Sequence, residues 1–454
     1  MDTTSASSTA SFTAKGLATR ERILATAADV LLAEGLSGFS IEKVRQAAAV
    51  SGSQVTRYFA DKDELVRAVV QRQIETVLAF HRQPKVGGLD TFADWESWAD
   101  LNLRYLRKIG YRGTATYHTL AGQLAKYDPR TRQTFADGYR RWVTLLEDSF
   151  ARMKSRGTLA RSANPRQLAE VVVACHQGAG LLAFTFREEF PLAHVVRFIV
   201  NYLRSFAATP AERSPQRPPR SRKRRGRTAR AADGDGVQHQ FTRKGLATRA
   251  RIIEGAAHLM YERGIGGTTL DDVRQAVGVS GSQISHYFAD RRDLTREVIA
   301  TRTDFIVAFH EQPKLGKLSS IKALREWADL SWSEAGQGYL QYGCVYGSLT
   351  GELLEADDEI LDCLADGYDR WLRLFEEGLS AMRARGDLAP EADPRHLAAV
   401  LVASHQGGAL LAHVTGSAEG FRVPVDAAID YVESFATAHA NPLSKRGGRA
   451  TKAS

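Results

Sequence analysis

Cysteine is scarce in this sequence. The 454 residues include only Cys175, Cys344 and Cys363, which form neither a CxxC pair nor a Cys/His cluster. A sparse, odd number of cysteines argues against a disulfide framework or a zinc site and favours a reducing, cytoplasmic compartment. The sequence therefore predicts no metal and no cofactor.

Long apolar runs and a secretory leader are also missing. The longest apolar stretches, 168–186 and 397–414, are each interrupted by His-Gln-Gly. Both are short for a membrane span, so they predict buried helices. Residues 1–11 have neither a basic start nor an apolar segment and predict a disordered N-terminus.

Common catalytic signatures are absent as well: there is no G-x-S-x-G, P-loop, GxGxxG or HExxH pattern. We therefore expect that the protein is not an enzyme. The net charge of +9 is concentrated in 207–240, with nine Lys/Arg against three acids, and in 441–454, with four basic residues. Because the rest is nearly neutral, basicity alone does not indicate that the folded parts bind nucleic acid.

What the chain does contain is an internal repeat at an offset of 229 residues. FTAKGLATRERI (12–23) matches FTRKGLATRARI (241–252), and 26 of the 49 positions in 12–60 recur in 241–289. The register holds without a gap as far as the Ser-Phe-Ala sequences that end at Ala207 and Ala436. A period this long indicates a duplicated whole domain and not a solenoid.

Residues 207–240 separate the two copies. They are rich in arginine and proline and almost free of apolar residues, which predicts a basic disordered linker. A flexible segment of this length spans roughly 30–35 Å, enough to place the copies side by side. It is either a solvated tether or a salt-dependent phosphate contact. Residues 439–454 predict a basic disordered tail.

Sequence signals for helix ends recur along the chain, and no segment alternates apolar and polar residues as a strand does. The predicted fold is therefore all-α. Asn164-Pro165 and Asp393-Pro394 are N-cap and first-turn pairs. Helices around 135–153 and 168–182, with their counterparts in the second copy, carry apolar stripes. The stripes predict either a four-helix interface across a pseudo-two-fold axis or core packing within each copy.

The N-terminal part of each copy predicts three helices, the last two forming a helix-turn-helix motif. Ser40 and Thr269 are its N-caps, and Ala49 and Gly278 occupy its turn. In such motifs the second helix enters the major groove of DNA. The predicted ranges are 17–77 and 246–306 for the DNA-binding domains, 40–59 and 269–288 for the motifs, and 78–206 and 307–438 for the helical bodies.

The sequence here resembles the TetR (tetracycline-repressor) family. The resemblance is carried by ATRERILATAADVLLAEGLSGFSIEKV…AVSGSQVTRYFADKDEL and by ATRARIIEGAAHLMYERGIGGTTLDDV…GVSGSQISHYFADRRDL. It implies two tandem subunits in an intramolecular pseudo-dimer, with operator DNA and a small-molecule effector as partners. The implied function is a transcriptional repressor released by its ligand. The alternative is a ligand-binding or scaffold protein in which one or both of the DNA-binding domains (the heads) no longer bind DNA.

The third helix of each head offers suitable groups for DNA. Gln54 and Gln283 can pair with adenine through two hydrogen bonds, and Arg57, whose counterpart is His286, can pair with guanine or phosphate. Further predicted contacts are Ser51, Ser53, Thr56, Ser280, Ser282 and Ser285. The resemblance adds Ser40, Tyr58, Lys62, Thr269, Tyr287 and Arg291 at positions that touch phosphate in the family.

Two features limit what the resemblance carries over. The family usually has tyrosine where this chain has Thr56 and Ser285, so its detailed base code does not transfer. Because Arg57 and His286 differ, the two heads are expected to read slightly different half-sites of an imperfect palindrome.

The resemblance also implies a ligand pocket lined by aromatic-rich segments of each body. The candidates are Trp98, Tyr105, Tyr117 and His118 in the first copy, and Trp327, Trp332, Tyr346 and Glu352 in the second. Ordinary core packing is the alternative for each of them. The copies diverge most in this region, which favours a single functional pocket.

His176 and His405 occupy matching positions and are expected to face each other across the pseudo-axis. They are either hydrogen-bonded interface residues or a metal- or pH-sensing pair. A redox-sensing role for Cys175 and Cys344 is a further alternative.

Overall fold

The computed structural model describes residues 12–111, 120–121, 124, 128–213, 241–354 and 358–437. Across these ranges the secondary structure is helical, with two isolated antiparallel bridges, Leu159–Ala207 and Leu388–Ala436, and no strand. The predicted all-α fold is confirmed.

The helices follow the same order in both halves. The first half contains α1 (Ala14–Gly38), α2 (Ile41–Ala47), α3 (Gly52–Tyr58), α4 (Lys62–Arg82), α5 (Phe92–Lys108), α6 (Pro129–Ser155), α7 (Pro165–Phe186) and α8 (Phe190–Ser205). The second half contains α9 (Arg243–Arg263), α10 (Leu270–Val277), α11 (Gly281–Tyr287), α12 (Arg291–His310), α13 (Ile321–Tyr342), α14 (Val345–Leu353), α15 (Asp358–Ala384), α16 (Pro394–Thr415) and α17 (Glu419–Glu433).

The helix ends follow the punctuation in the sequence. Ser40 caps α2 by accepting a hydrogen bond from the Lys43 backbone N–H, and Thr269 caps α10 in the same way. Asn164 caps α7 and is followed by a first-turn proline. Gly35, with φ 63°, breaks the helical path near the end of α1 and turns the chain toward α2.

The two halves meet where α7 crosses α16. A Cβ built on Gly178 would overlap with the backbone carbonyl of Ala403, and one on Gly407 would overlap with that of Ala174. The two backbones can approach this closely only because both positions are glycine. The side chains of Cys175 and Ser404, which are equivalent positions in the repeat, lie 3.2 Å apart (Sγ to Oγ) at the same crossing.

A four-helix interface was one of the two expectations, and the structure corrects its membership. The flanking helices are α8 and α17, which pack on the partner half, whereas α6 packs mainly within its own half against α4 and α7. The apolar stripe of α6 faces inward, as shown by Phe150, whose ring stacks on Trp95 at a centroid distance of 4.9 Å. Since α6 has one apolar stripe, burying it in the body leaves a polar face outside.

His176 and His405 do not face each other, contrary to expectation. His176 Nε2 lies 2.8 Å from Asn102 Oδ1, and His405 Nε2 lies 2.9 Å from the Tyr339 hydroxyl. Each imidazole therefore points into the body of its own half.

One hydrophobic core runs from the first head through both bodies, while the second head has a core of its own that includes Leu349 of α14. Helices α7 and α16 are long and apolar enough to cross a membrane, but 94% of each apolar window is buried inside the protein. They are core helices, as the interrupted apolar stretches predicted.

The folded first half extends beyond the predicted boundary at residue 206. Ala207 is fully buried and pairs with Leu159, and a 3-10 helix follows at Pro210–Arg213. The start of the predicted linker, 207–213, therefore belongs to the first half. The predicted disordered segments 1–11, 214–240 and 439–454 lie outside the described residues.

Candidate nucleic-acid interface and effector cavity

The candidate recognition helices α3 and α11 are each seated on their head by one buried side chain, Val55 or Ile284. Their other side chains are directed outward. The exposed members of the predicted DNA set on the two helices and their N-caps are Ser51, Ser53, Gln54, Thr56, Arg57, Ser280, Ser282, Gln283, Ser285 and His286. A short helix with one buried anchor and a polar outer face can lie in a groove without unpacking the head.

Gln54 and Gln283 have a structural role that the sequence analysis missed. Gln54 Oε1 accepts a hydrogen bond from the Ser51 backbone N–H at 2.8 Å, and Ser51 Oγ accepts one from the Gln54 N–H at 3.2 Å. Ser280 and Gln283 form the same capping box. Two-bond pairing of either glutamine with adenine would require the glutamine oxygen to leave its helix cap.

Arg57 is the one arginine or lysine of α3, and it is placed to reach DNA. It is exposed, and among the described residues it forms no ion pair; its guanidinium lies 6.0 Å from the Tyr58 ring centroid. His286, its counterpart, packs edge-on against Phe241 with centroids 5.7 Å apart. The two heads therefore present different shapes and charges at equivalent positions.

Several predicted phosphate contacts also hold the heads together. Tyr58 packs against Phe12 at the start of α1, with ring centroids 5.0 Å apart, and Tyr287 packs against Phe241 in the same way. Lys62 Nζ donates to the Leu36 carbonyl oxygen at 3.0 Å.

Arg291, the counterpart of Lys62, donates to the Ile265 carbonyl oxygen. Both cations thus stabilise the loop between the first two helices of a head, and a phosphate contact by either of them stays a prediction.

The first half also contains a cavity of about 370 Å³. Its wall includes Ala28 of α1 and Gln73 of α4, so it touches the head as well as the body. The wall also contains the buried side chains of His81 and Asn102, together with His176. The volume lies within the roughly 300–1,000 Å³ typical of small-molecule sites.

His81 organises this part of the cavity wall. Its Nδ1 bonds the Val77 carbonyl, so its Nε2 accepts hydrogen bonds from the indole N–H groups of Trp98 and Trp142, at 3.2 and 3.3 Å. Burial lowers the pKa of His81 to about 4, so the imidazole is neutral at physiological pH. The same arrangement recurs in the second half around His310.

Only some of the predicted pocket residues line the cavity. Of the first-copy candidates, Tyr105 lines the cavity, Trp98 lies behind its wall, and Tyr117 and His118 lie outside the described residues. The residues that analysis of the sequence missed include Gln73 and Asn102. Both sit on helices, Gln73 between Arg72 and Ile74 and Asn102 between Leu101 and Leu103, and neither belongs to a motif.

The second-copy candidates are core or bracing residues. Trp327 is fully buried and bonds His310, and Trp332 stacks on Phe421. The buried Tyr346 hydroxyl donates to the Leu364 carbonyl, and the Glu352 carboxylate accepts the Ile265 N–H. Glu352 thereby ties α14 to the second head.

The cysteines do not have the environment of redox sensors. Cys175 and Cys344 are both buried, and the three cysteines are free thiols. Burial raises the pKa of the Cys175 thiol to about 12, which leaves it protonated and unreactive.

Two recognition helices on all-α bodies define a DNA-binding transcriptional regulator with two heads in one chain. The family described as bacterial regulatory proteins, tetR family, matches residues 23–69 and 252–298. The BetI-type transcriptional repressor C-terminal domain matches 120–208, and the tetracyclin repressor-like C-terminal domain matches 321–427. The chain belongs to the TetR family, and the predicted tandem duplication is confirmed.

Individual relatives match a segment about as long as one copy of the repeat. An uncharacterized HTH-type transcriptional regulator in the lacX 3' region of Lactococcus lactis subsp. lactis is 26% identical over 176 residues, 37% of this chain and 84% of the relative. The HTH-type transcriptional repressor DhaR of Mycobacterium sp. (strain GP1) is 26% identical over 179 residues, 36% of this chain and 80% of DhaR.

Among solved structures, the regulatory protein TetR from Rhodobacter sphaeroides is 20% identical with a TM-score of 0.35, covering 41% of this chain and 96% of that one.

Proposed function

We propose that the two heads of one chain bind a single, imperfectly palindromic operator and repress transcription until a small molecule releases them. The observation that carries the proposal is the glycine-to-glycine crossing of α7 and α16, where the two bodies pack closely against each other; this packing supports an intramolecular pseudo-dimer. The half-site centres are expected about one helical turn apart, roughly 34–36 Å, or slightly more. The protein would act in the cytoplasm, at the nucleoid.

The DNA-binding part of the proposal is supported by the outward polar faces of α3 and α11, which recur in both heads. Repression is supported by the likeness to DhaR, which is described as a repressor.

Release by an effector is supported by where the cavity lies. Its wall combines Ala28 and Gln73, which belong to the head helices α1 and α4, with Trp142 and His176 of the body. A ligand that fits better in one orientation of the head than in another shifts the population toward that orientation. A changed spacing between the heads would lower affinity for the operator.

The test is selection from a pool of random double-stranded oligonucleotides with the full chain, followed by light scattering of the complex. We expect a paired, imperfect palindrome bound by one chain of 49.9 kDa. A single unpaired half-site, or a particle with two chains and four heads, would contradict the proposal. Failure to select any DNA would favour the ligand-binding or scaffold alternative.

A further inference from the structure

We infer that the chain binds one effector molecule and not two, because the second half has closed its own cavity, and that the effector is an uncharged, largely apolar molecule with a hydrogen-bonding group. The inference rests on the proposed small-molecule control and adds its stoichiometry and ligand class.

Closure of the second half begins at the residue equivalent to His176. His405 is covered by Phe421, with ring centroids 5.2 Å apart, where the first half has the smaller Leu192 in its cavity wall. Tyr339 packs on Phe421 at 5.0 Å and bonds His405 Nε2 through its hydroxyl. Two large side chains therefore lie where the first half keeps open space.

Tyr339 reaches this position because α13 is longer than its counterpart. Helix α5 ends at Lys108, whereas α13 continues to Tyr342, five residues past the equivalent point. Tyr339 lies in the added turn, and its equivalent in the first half is Gly110. The closure is thus built from one longer helix and one larger side chain.

The outer wall has changed in the same direction. Ala25 and Gln73 line the first cavity, and their equivalents are Glu254 and Arg302. Arg302 and Glu254 form an ion pair at 3.5 Å, with the arginine side chain 15% exposed. A paired, largely buried arginine replaces the alanine and the glutamine.

The ligand class follows from the polar groups of the open cavity. Asn102 bonds the Trp98 carbonyl and His176, so these groups already satisfy one another. Gln73 is 8% exposed and forms no hydrogen bond with any residue that the structure describes. Arg72, the cation in the wall, is paired with Glu21 at 2.5 Å.

The buried part of the cavity therefore offers one amide without a hydrogen-bond partner, Gln73, and no unpaired charge. The Asp29 carboxylate, the other charged group of the wall, is exposed to solvent. A charged ligand that enters the buried part would therefore lose its hydration without gaining a partner there. An uncharged ligand can bury its apolar part and bond the Gln73 amide.

The experiment uses the full chain without DNA and the uncharged dye N-phenyl-1-naphthylamine, whose fluorescence rises in apolar surroundings. We expect saturation at one dye per chain, and at least about ten-fold weaker binding of the anionic 8-anilinonaphthalene-1-sulfonate. Two dyes per chain, no dye binding, or equal affinity for both dyes would overturn the inference.

Matched substitutions place cavity residues of one half at the equivalent positions of the other half. Leu192→Phe, which copies Phe421, should weaken dye binding by about ten-fold or more. Phe421→Leu combined with Tyr339→Ala should raise the stoichiometry to two. Phe305→Thr, at a side chain 61% exposed, should change neither value.

Circular dichroism melts establish that each variant is folded, and the two cavity variants change binding in opposite directions, which general destabilisation would not do. An unchanged affinity in the Leu192→Phe variant, or an unchanged stoichiometry in the double variant, would count against closure of the second half. Because the titration needs no operator, its result is independent of whether a ligand releases DNA.

Discussion

At equivalent positions of the two recognition helices, Arg57 is exposed without an ion partner among the described residues, whereas His286 packs against Phe241. An arginine can form two hydrogen bonds to guanine that a packed imidazole cannot reproduce. Arg57→Ala should therefore weaken binding to the half-site of the first head by about 1–3 kcal/mol and leave the other nearly unchanged.

The measurement is an electrophoretic mobility shift on two symmetrised operators, each built from one half-site. His286→Ala serves as the matched variant and should affect the second half-site, with a smaller loss. Equal losses at both operators after Arg57→Ala would contradict the assignment.

Two buried histidines meet across the interface without a counterpart on the other side of the pseudo-axis. His194 Nδ1 lies 3.0 Å from His396 Nδ1, and His396 also bonds the Tyr431 hydroxyl at 3.2 Å. Burial lowers the pKa of His194 to about 4 and that of His396 to about 3. Asp393 and Arg395 face His194, and Arg197 faces His396.

The sign of the pH dependence follows from these lowered values. The unfolded chain takes up protons near pH 6.5 while the folded chain resists them, so stability falls as the pH drops below about 6.5. The parent chain should lose unfolding free energy when the pH is lowered from 7.5 to 5. In the His396→Gln variant, which copies Gln167, this loss should be smaller by about 2 kcal/mol.

Urea unfolding at the two pH values measures this difference for the His396→Gln variant. His258→Gln, at a side chain 65% exposed, is the control and should leave the loss unchanged. A His396→Gln variant that is as acid-sensitive as the parent would disprove the role of the buried pair.

At the scale of helices and turns, the sequence was sufficient where the signals are local. Caps such as Ser40 and Asn164 were predicted because they act on backbone within a few residues. The identity of the flanking interface helices depends on tertiary packing, since α6 and α8 both carry buried apolar residues along one face. Divergence between the copies favoured a single functional pocket, but the sequence did not indicate which half is closed, since Tyr339 and Phe421 meet only through tertiary packing.

The helix-turn-helix turn offers a local comparison between the heads. Ala49 and Gly278 both adopt a left-handed conformation, with φ 51° and φ 65°. The Cβ of alanine makes this conformation cost about 1–2 kcal/mol, partly offset by the greater flexibility of unfolded glycine. Ala49→Gly should therefore stabilise the chain by roughly 0.5–1 kcal/mol, and Gly278→Ala should destabilise it by a similar amount.

Thermal melts of the two single variants and of the double exchange test this pair, and the double variant should return close to the parent. A destabilising Ala49→Gly substitution would show that the alanine methyl group contributes packing that outweighs its strain.

At the scale of the whole molecule, several contacts fit only the pairing of the first half with the second. Arg187 Nη1 lies 2.5 Å from Asp358 Oδ1, and the equivalent positions are Gly416 and Pro129, which cannot form an ion pair. The His194–His396 contact has Val423 and Gln167 at its equivalent positions. Pairing two identical halves would lose these contacts, so the interface favours pairing a first half with a second half.

That pairing depends on the crossing of α7 and α16, and Gly407→Val tests it. A valine there would overlap with the Ala174 carbonyl, so the two backbones must separate. Overpacking of this kind costs typically about 1–3 kcal/mol, and the loss falls on the interface because the heads do not touch this site. The variant should bind an isolated half-site as the parent does but lose its preference for two correctly spaced half-sites.

Mobility shifts on operators with systematically varied half-site spacing measure this preference. Gly407→Ala should produce the same change to a smaller degree, because it adds only the first carbon of the side chain. Retained half-site binding separates loss of pairing from unfolding of the heads. If the valine variant still required the parental spacing, the α7–α16 crossing could not be what fixes the distance between the heads, and the spacing would have to be set elsewhere in the chain.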